Sequence, residues 1–361
     1  MSLTVAKTIV VKVGSSSLVG RGGGLDRKKV SAVAAQMCAL QKMGHRTVLV
    51  TSGAIAAGFR RLGYTEKPRT VAEKQAAAAV GQGLLMEEYN RTFSRQQVPC
   101  GQLLLTRGDF ADKRRFDNAF AALRVLMDRG AVPIINENDT VAVEELKIGD
   151  NDTLSAQVAA MVHADLLILL TDIDGLYTAD PAKDPTAQHI DEVNEIDDRL
   201  LSMAADTHTG VGTGGMQTKL RCALLATAAG VPVFICSSAE EDAILRAASG
   251  TARGTRFLVQ HRMHTRQQWL AFYALPSGTL YVDDGAAKAL TEGKKSLLPP
   301  GIVRIEGDFD VGEVVTVCRA DTGKPLGRGI VNYTAETLLQ LKGTPGPHGE
   351  AIHRDNWASL P

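Results

Sequence analysis

Seventeen residues near the middle of the chain, Asn136 to Asp152 (NENDTVAVEELKIGDND), concentrate its polar chemistry: nine of them are Asn, Asp or Glu. An apolar run at 132–135 of strand length precedes them, and a helical apolar pattern at 154–162 follows. Polar residues bunched where a strand gives way to a loop are where open α/β sheets place ligands. The stretch reads as a pocket for a small polar molecule carrying an ammonium group, and the plainer alternative is a solvated loop. Two lysines add positive charge elsewhere. Lys12 sits near the end of the β-branched run TIVVKV, just before Gly14-Ser15-Ser16-Ser17. Lys219 closes GVGTGGMQTK (210–219), which opens a helix running to about Ala229. Small residues after a strand, and glycines at a helix N-terminus, turn backbone N–H groups toward an anion. A lysine in a buried strand is costly unless it emerges at the strand end or meets such an anion. The alternative for Lys12 is a lysine at a surface edge.

Two lysines, two glycine-bearing turns and an acidic pocket without a metal-ligand cluster point to phosphoryl transfer. That reaction needs positioning and positive charge more than covalent help from the protein. Lys12 and Lys219 can supply the charge, Asp152 can orient them without taking a proton, and Mg²⁺ arrives with the nucleotide, so no metal site in the protein itself is expected. No general base stands out. An acceptor carboxylate, with a pKa of about 4.3, is already ionised at neutral pH and requires none. Walker A (GxxxxGK[ST]) is absent, no GxGxxG follows a strand, and the eight histidines form no HExxH. His261 and His264 read as surface residues.

These groups need a frame to hold them. Strands are expected at 8–13, 46–50, 101–106, 132–135, 166–170, 231–236 and 255–259, and helices at 28–43, 72–93, 116–129 and 154–162. Strand–helix alternation predicts a mostly parallel sheet covered on both faces. Thr51-Ser52-Gly53-Ala54 follows its strand as Gly14 to Ser17 follow theirs, so the two turns should share one crevice. The run Ala76 to Ala79 allows close packing, in a core or at a subunit interface. Past residue 276 short apolar segments alternate with Gly, Asp and Pro turns, the pattern of a small β-barrel, and the last fifteen residues read as a loose tail. The expected divisions are 1–260, a linker at 261–276, and 277–355.

Composition narrows the class. The 361 residues are 44% hydrophobic and carry 40 basic against 40 acidic side chains, which gives no bulk attraction for nucleic acid or anionic membranes. Five cysteines, at 38, 100, 222, 236 and 318, lie too far apart for CxxC and read as small apolar residues of a cytoplasmic protein. No apolar run reaches membrane-spanning length, and the start lacks a signal-peptide arrangement.

Five segments carry a resemblance: VKVGSSSL (Val11 to Leu18), TSGAIAAG (Thr51 to Gly58), NENDTVAVEELKIGDNDTLSAQVA (Asn136 to Ala159), LLTDIDGLYTADP (Leu169 to Pro181) and GTGGMQTKL (Gly212 to Leu220). In order and spacing they resemble the glutamate 5-kinases, and the C-terminal segment resembles the PUA domain appended in that family. The segment 136–159 is the specific one, since glycine turns alone suggest only the wider amino acid kinases. The resemblance implies a three-layer α/β/α sandwich with a PUA-like barrel. It also implies ATP-dependent phosphorylation of the γ-carboxylate of L-glutamate, the first step of proline synthesis, with proline as inhibitor at the acceptor pocket. A homo-oligomer (dimer or tetramer) and contact with glutamyl phosphate reductase are further implied partners. Carried over, Lys12 contacts phosphates, Lys219 stabilises the transferring group and Asp152 holds both. Ser52, Asp139 and Asn151 bind glutamate, with Gly53, Asn136 and Asn138 close by. Gly14, Ser15, Thr171, Asp172, Thr213, Gly214, Gly215, Met216, Gln217, Thr218 and Lys219 line the nucleotide site. The residues agree on one point, because an α-amino acid needs an anionic acceptor for its ammonium and Asp139 is one. The rival is RNA binding through the PUA-like domain. Residues 277–361, at nine basic against eleven acidic (net −2), give that no electrostatic support apart from a local patch at Lys288, Lys294 and Lys295.

Overall fold

The computed structural model describes residues 7–20, 23–141, 151–181, 183–197, 199–201, 215–259, 265–293, 295–344, 346 and 348–360. The chain divides into two compact units: residues 1–109 with 114–262, and residues 110–113 with 263–361.

In the first unit, runs of β-branched and aliphatic residues form a sheet whose central strands are buried on both faces. Its first five strands are β1 (Thr8–Val13), β2 (Arg46–Val50), β3 (Cys100–Leu105), β4 (Val132–Glu137) and β5 (Leu166–Thr171). The two-residue strands β6 (Leu176–Tyr177) and β7 (His189–Ile190) pair with each other, apart from that sheet. Then come β8 (Glu192–Val193), β9 (Val233–Ser237) and β10 (Thr255–Phe257), giving the eight-stranded order β3-β4-β2-β1-β5-β9-β10-β8. Only the β9–β10 pair is antiparallel among these neighbours. Because β1 is central and its neighbours run parallel to it, Lys12 stands level with Val50 on one side and Leu169 on the other. The ends of β1, β2, β4, β5 and β9 therefore open onto one edge, where such sheets hold ligands.

Helices α1 (Ser15–Leu18), α5 (Arg107–Ala111) and α6 (Lys113–Asp128) lie between strands along the chain, and period-two alternation decides which helices cover which face. Ile9, Val11 and Val13 join a core with helices α2 (Arg27–Lys42) and α4 (Val71–Arg95) and with the segment 243–247. Helices α7 (Asn151–Met161) and α8 (Met216–Ala228) pack on each other, α7 also against β1 and β5 and α8 against β9. The α/β/α layering expected from sequence is present. Helix starts follow local chemistry: Asp26 accepts the N–H groups of Lys28 and Lys29, and Thr70 with Glu73 forms a capping box for α4. The alanine-rich face of α4 packs against a short helix, α3 (Ala54–Gly58). A Cβ at Gly81 would overlap the Ala54 carbonyl and Gly58 nitrogen, and one at Gly58 would overlap the Ala77 carbonyl. The two backbones touch with no side-chain layer between them.

In the second unit, β11 (Gly278–Val282), β12 (Ile302–Gly307), β13 (Val314–Arg319), β14 (Pro325–Ile330) and β15 (Trp357–Ser359) form a mixed sheet in the order β12-β11-β13-β14-β15. Two helices interrupt the strands, at Asp284–Thr291 and Ala335–Leu341, where the sequence suggested only turns. The expected loose tail is corrected. Its Trp357 and Ala358 are buried and pair with Gly329 and Arg328 of β14. Gly327 and Gly329 make this docking possible, since a Cβ at the first would strike the Trp357 ring and at the second Ile352. Lys288 of the expected basic patch is paired with Asp284 at 2.9 Å, and Lys294 lies outside the described residues.

All five cysteines are free; four are buried and Cys100 is half-buried. Among the described residues no helix is long and apolar enough to cross a membrane.

Candidate active site

Lys12, Asp152 and Lys219 come together at the open edge of the sheet. Even-numbered positions of β1 face away from the α2/α4 core, so Lys12 points toward the α7/α8 layer, where Asp152 opens α7 and Lys219 lies in the first turn of α8. Asp152 is ion-paired through Oδ1 to Lys12 Nζ and through Oδ2 to Lys219 Nζ, the latter at 3.4 Å. The lysines are 5% and 7% exposed and the carboxylate 0%, so all three charges are held out of water. Burial alone would raise the Asp152 pKa, but the two ammonium groups outweigh it and keep the carboxyl well below the usual carboxylate range. Thr218 Oγ1 lies 3.2 Å from Asp152 Oδ2 and 2.8 Å from the Gly215 carbonyl, tying the start of α8 to the same carboxylate. One carboxylate between two ammonium groups leaves the trio with a single net positive charge, beside the backbone donors of a helix N-terminus. That combination favours anionic oxygens over a bare cation.

The other residues expected to line a nucleotide site follow β1, end or follow β5, or begin α8. Gly14 follows β1, and a Cβ there would sit 3.8 Å from Lys12 Nζ. Ser15, exposed, begins the short helix 15–18. Thr171 ends β5 and donates to the exposed Asp172 carboxylate at 2.9 Å. Gly215 caps α8 with an extended backbone, and Met216 and Gln217 form its first turn. Thr213 and Gly214 lie outside the described residues.

Of the residues expected to bind the acceptor, Ser52 is buried just past β2, and Gly53 takes the left-handed conformation (φ 97°) that lets the chain turn into α3. Asn136, 1% exposed, is the fifth residue of β4, which runs two residues further than expected. Its Nδ2 donates to Gln82 Oε1 at 2.8 Å while its Oδ1 accepts the Glu137 N–H at 3.0 Å. Asn138 holds its own loop, donating its N–H to the Leu105 carbonyl and accepting from Thr140. Asp139 is half-buried, and burial pushes its carboxyl up to about 6. Asn151 starts α7 next to Asp152, and its buried Oδ1 has no hydrogen-bond partner among the described residues. No hydrogen bond joins Asn138 or Asp139 to Ser52 or Asn151 among the described residues, and residues 142–150 of the acidic stretch lie outside them.

Sequence reasoning missed two residues of α4. Tyr89, fully buried, meets Thr51 Oγ1 at 2.9 Å and so braces the turn that carries Ser52; burial raises its phenol pKa. Gln82, seven residues earlier on the same helical face, braces Asn136. A Gln and a Tyr on an amphipathic helix have no motif. The one available signal was their seven-residue spacing.

Comparison with known proteins extends this picture. Residues 7–237 match the model of the amino acid kinase family, and residues 278–352 that of the PUA domain. A glutamate 5-kinase of Streptococcus sanguinis is 53% identical over 356 residues, 98% of this chain and 96% of that protein. One from Streptococcus suis is 52% identical over 355 residues, 98% of this chain and 99% of that protein. Among solved structures, a carbamate kinase from Giardia lamblia bound to AMP-PNP aligns with a TM-score of 0.50 at 20% identity, covering 71% of this chain and 99% of that one. At that identity the likeness concerns the fold alone.

Proposed function

Given that the chain belongs to the amino acid kinase family, and within it to the glutamate 5-kinases, we propose that it transfers the γ-phosphoryl group of ATP to the γ-carboxylate of L-glutamate. The product is L-glutamyl 5-phosphate, which makes this the first step of proline synthesis. The observation that carries the chemistry is the single buried Asp152 held between Lys12 and Lys219.

In the proposed reaction a γ-carboxylate oxygen of glutamate attacks the γ-phosphorus. A new C–O–P linkage forms as the bond to the β,γ-bridging oxygen breaks, and ADP leaves with those electrons. The nucleophile is already ionised at neutral pH, so no side chain has to remove a proton. Lys12 meets the phosphate oxygens, and Lys219 neutralises charge that grows on the transferring group and leaving oxygen, where fixed positive charge in a dry site is most effective. Asp152 positions both ammonium groups and keeps its proton off. Backbone N–H groups of Ser15 and 215–217 support the phosphates, Gly14 lets the chain pass close to them, and Thr171 and Asp172 flank the nucleotide. Mg²⁺ enters as the cation of ATP, since the site residues offer ammonium and N–H donors rather than a cage of carboxylates. Ser52, Gly53, Asn136, Asn138, Asp139 and Asn151 hold glutamate, with Asp139 facing its ammonium.

We assign catalysis to residues 1–260, joined by a linker at 261–276 to a PUA-like domain at 277–355. Proline binding in the acceptor pocket, a cytoplasmic location, a homodimer or homotetramer, and transient contact with the reductase that consumes the acyl phosphate complete the proposal. RNA binding gains nothing from Lys288, whose charge is taken up by Asp284. The test is turnover with ATP, Mg²⁺ and a panel of amino acids, with hydroxylamine trapping the acyl phosphate. L-Glutamate should turn over and be suppressed by proline. Turnover with aspartate or acetylglutamate in its place would keep the kinase and overturn the acceptor assignment.

A further inference from the structure

Helix α4 carries a side chain that the reaction outlined above leaves unused. Asn136 Nδ2 donates to Gln82 Oε1 at 2.8 Å, and the orientation of that pair is fixed because Asn136 Oδ1 already accepts the Glu137 N–H. The carbonyl oxygen of Gln82 is thereby used. Its Nε2 is buried and has no hydrogen-bond partner among the described residues. Gly81, the preceding residue, lies backbone-to-backbone on Ala54, directly after the Ser52–Gly53 turn. Gln82 therefore stands between that turn and the end of β4, the two segments that supply most of the acceptor residues.

A buried amide N–H without an acceptor is unfavourable unless a ligand or water supplies one. Nε2 can only donate, so it suits a carboxylate and not an ammonium group. Glutamate has two carboxylates, and the γ-carboxylate is directed to the lysines. We infer that Gln82 donates through Nε2 to the α-carboxylate of bound glutamate and so helps to select an acceptor that carries one. This rests on glutamate being the acceptor. Asn136 fixes the amide, the Ser52–Gly53 turn forms the opposite wall, and the helix supplies the donor from a position no motif marks.

The clean variant is Gln82→Glu in the full-length protein. It keeps an oxygen to receive the Asn136 N–H and replaces the donor with a negative oxygen. Steady-state constants would be measured for ATP, for glutamate and for 4-aminobutyrate, which retains the γ-carboxylate but lacks the α-carboxylate. Where 4-aminobutyrate turns over too slowly, its competitive inhibition constant serves. A hydrogen bond to a charged group corresponds to about 10- to 100-fold in binding, and repulsion adds to its loss. The glutamate KM should thus rise about 100-fold, with ATP KM within twofold and 4-aminobutyrate little affected. Gln82→Met, which loses both bonds, should raise glutamate KM about 10- to 100-fold with the same selectivity. A glutamate KM within twofold of wild type in Gln82→Glu, as expected if water alone meets Nε2, overturns the inference. Equal losses on both acceptors also overturn it, since a purely structural Gln82 would act on both alike. Wild-type protein that phosphorylates another acceptor and not glutamate would refute the acceptor assignment itself, and the inference with it.

Discussion

Replacing Asp152 by asparagine preserves its shape and removes one charge, so the consequence can be worked from the geometry. Lys219 Nζ lies 3.4 Å from Oδ2. At an effective dielectric of about 20 that attraction is roughly 5 kcal/mol, and the Lys12 contact is closer still. Asparagine saves the several kcal/mol spent on burying a carboxylate, but it strands two buried ammonium groups beside each other. Removing one partner of a buried ion pair costs about 3–5 kcal/mol. For a unit of this size each kcal/mol shifts Tm by about 2–4 °C, so Asp152→Asn should lower the melting temperature by about 6–20 °C. ATP brings negative charge back to the lysines and should raise the Tm of the variant by more than it raises that of the wild type. Displacement of either lysine by about 1 Å should also cost about 100-fold in kcat. The assay is thermal unfolding with and without ATP, alongside steady-state kinetics. A nucleotide-free Tm within 2 °C of wild type would refute the reasoning, because the trio would then owe nothing to its central charge. The sign with pH is fixed as well. A carboxyl held below its unfolded value of about 3.9 contributes stability that is present above that pH and is lost as pH falls through the depressed native value.

Lys219→Ala should lower kcat far more than it weakens ATP affinity, because its charge is needed most in the transition state; equal losses in both would make it a simple nucleotide anchor. Burial pushes the Asp139 carboxyl up to about 6. If its ionised form receives the substrate ammonium, as proposed, glutamate KM should rise about tenfold from pH 7 to pH 5, and a flat profile would remove Asp139 from that role. Asp139→Ala should raise glutamate KM by about two orders of magnitude with ATP binding intact, judged against a charged hydrogen bond plus its Coulomb attraction. Gly81→Ala must separate α3 from α4, and chemical denaturation should show a loss of about 1–3 kcal/mol or more. A variant as stable as wild type would mean the helices can part freely.

How far the sequence showed all this depended on the range of the interaction. β1 and β2 were legible residue for residue, since a short run rich in β-branched residues that leads into a turn of small Gly and Ser residues has few other fates. Lys12, Asp152 and Lys219 were legible as a group because each sits at an element boundary with its own local signal. Trp357 was not. A three-residue strand has no periodicity, and what holds it is the space left by Gly327 and Gly329, about thirty residues away in the chain. Gln82 and Tyr89 were hidden for a similar reason: each looks like an ordinary face residue until the partner across the pocket, Asn136 or Thr51, is in place.

The central position of β1 has an evolutionary consequence. The residues proposed to hold the acceptor follow β2 and β4 on one flank of that strand, and those proposed for the nucleotide follow β5 and begin α8 on the other. Among the described residues Lys12 and the adjacent pair Asn151 and Asp152 stand between the two groups. A new acceptor can therefore be accommodated by editing one flank while the phosphate machinery on the other is inherited unchanged. Changes on opposite flanks that touch neither Lys12, Asn151 nor Asp152 should combine almost independently, whereas changes that reach those residues should not.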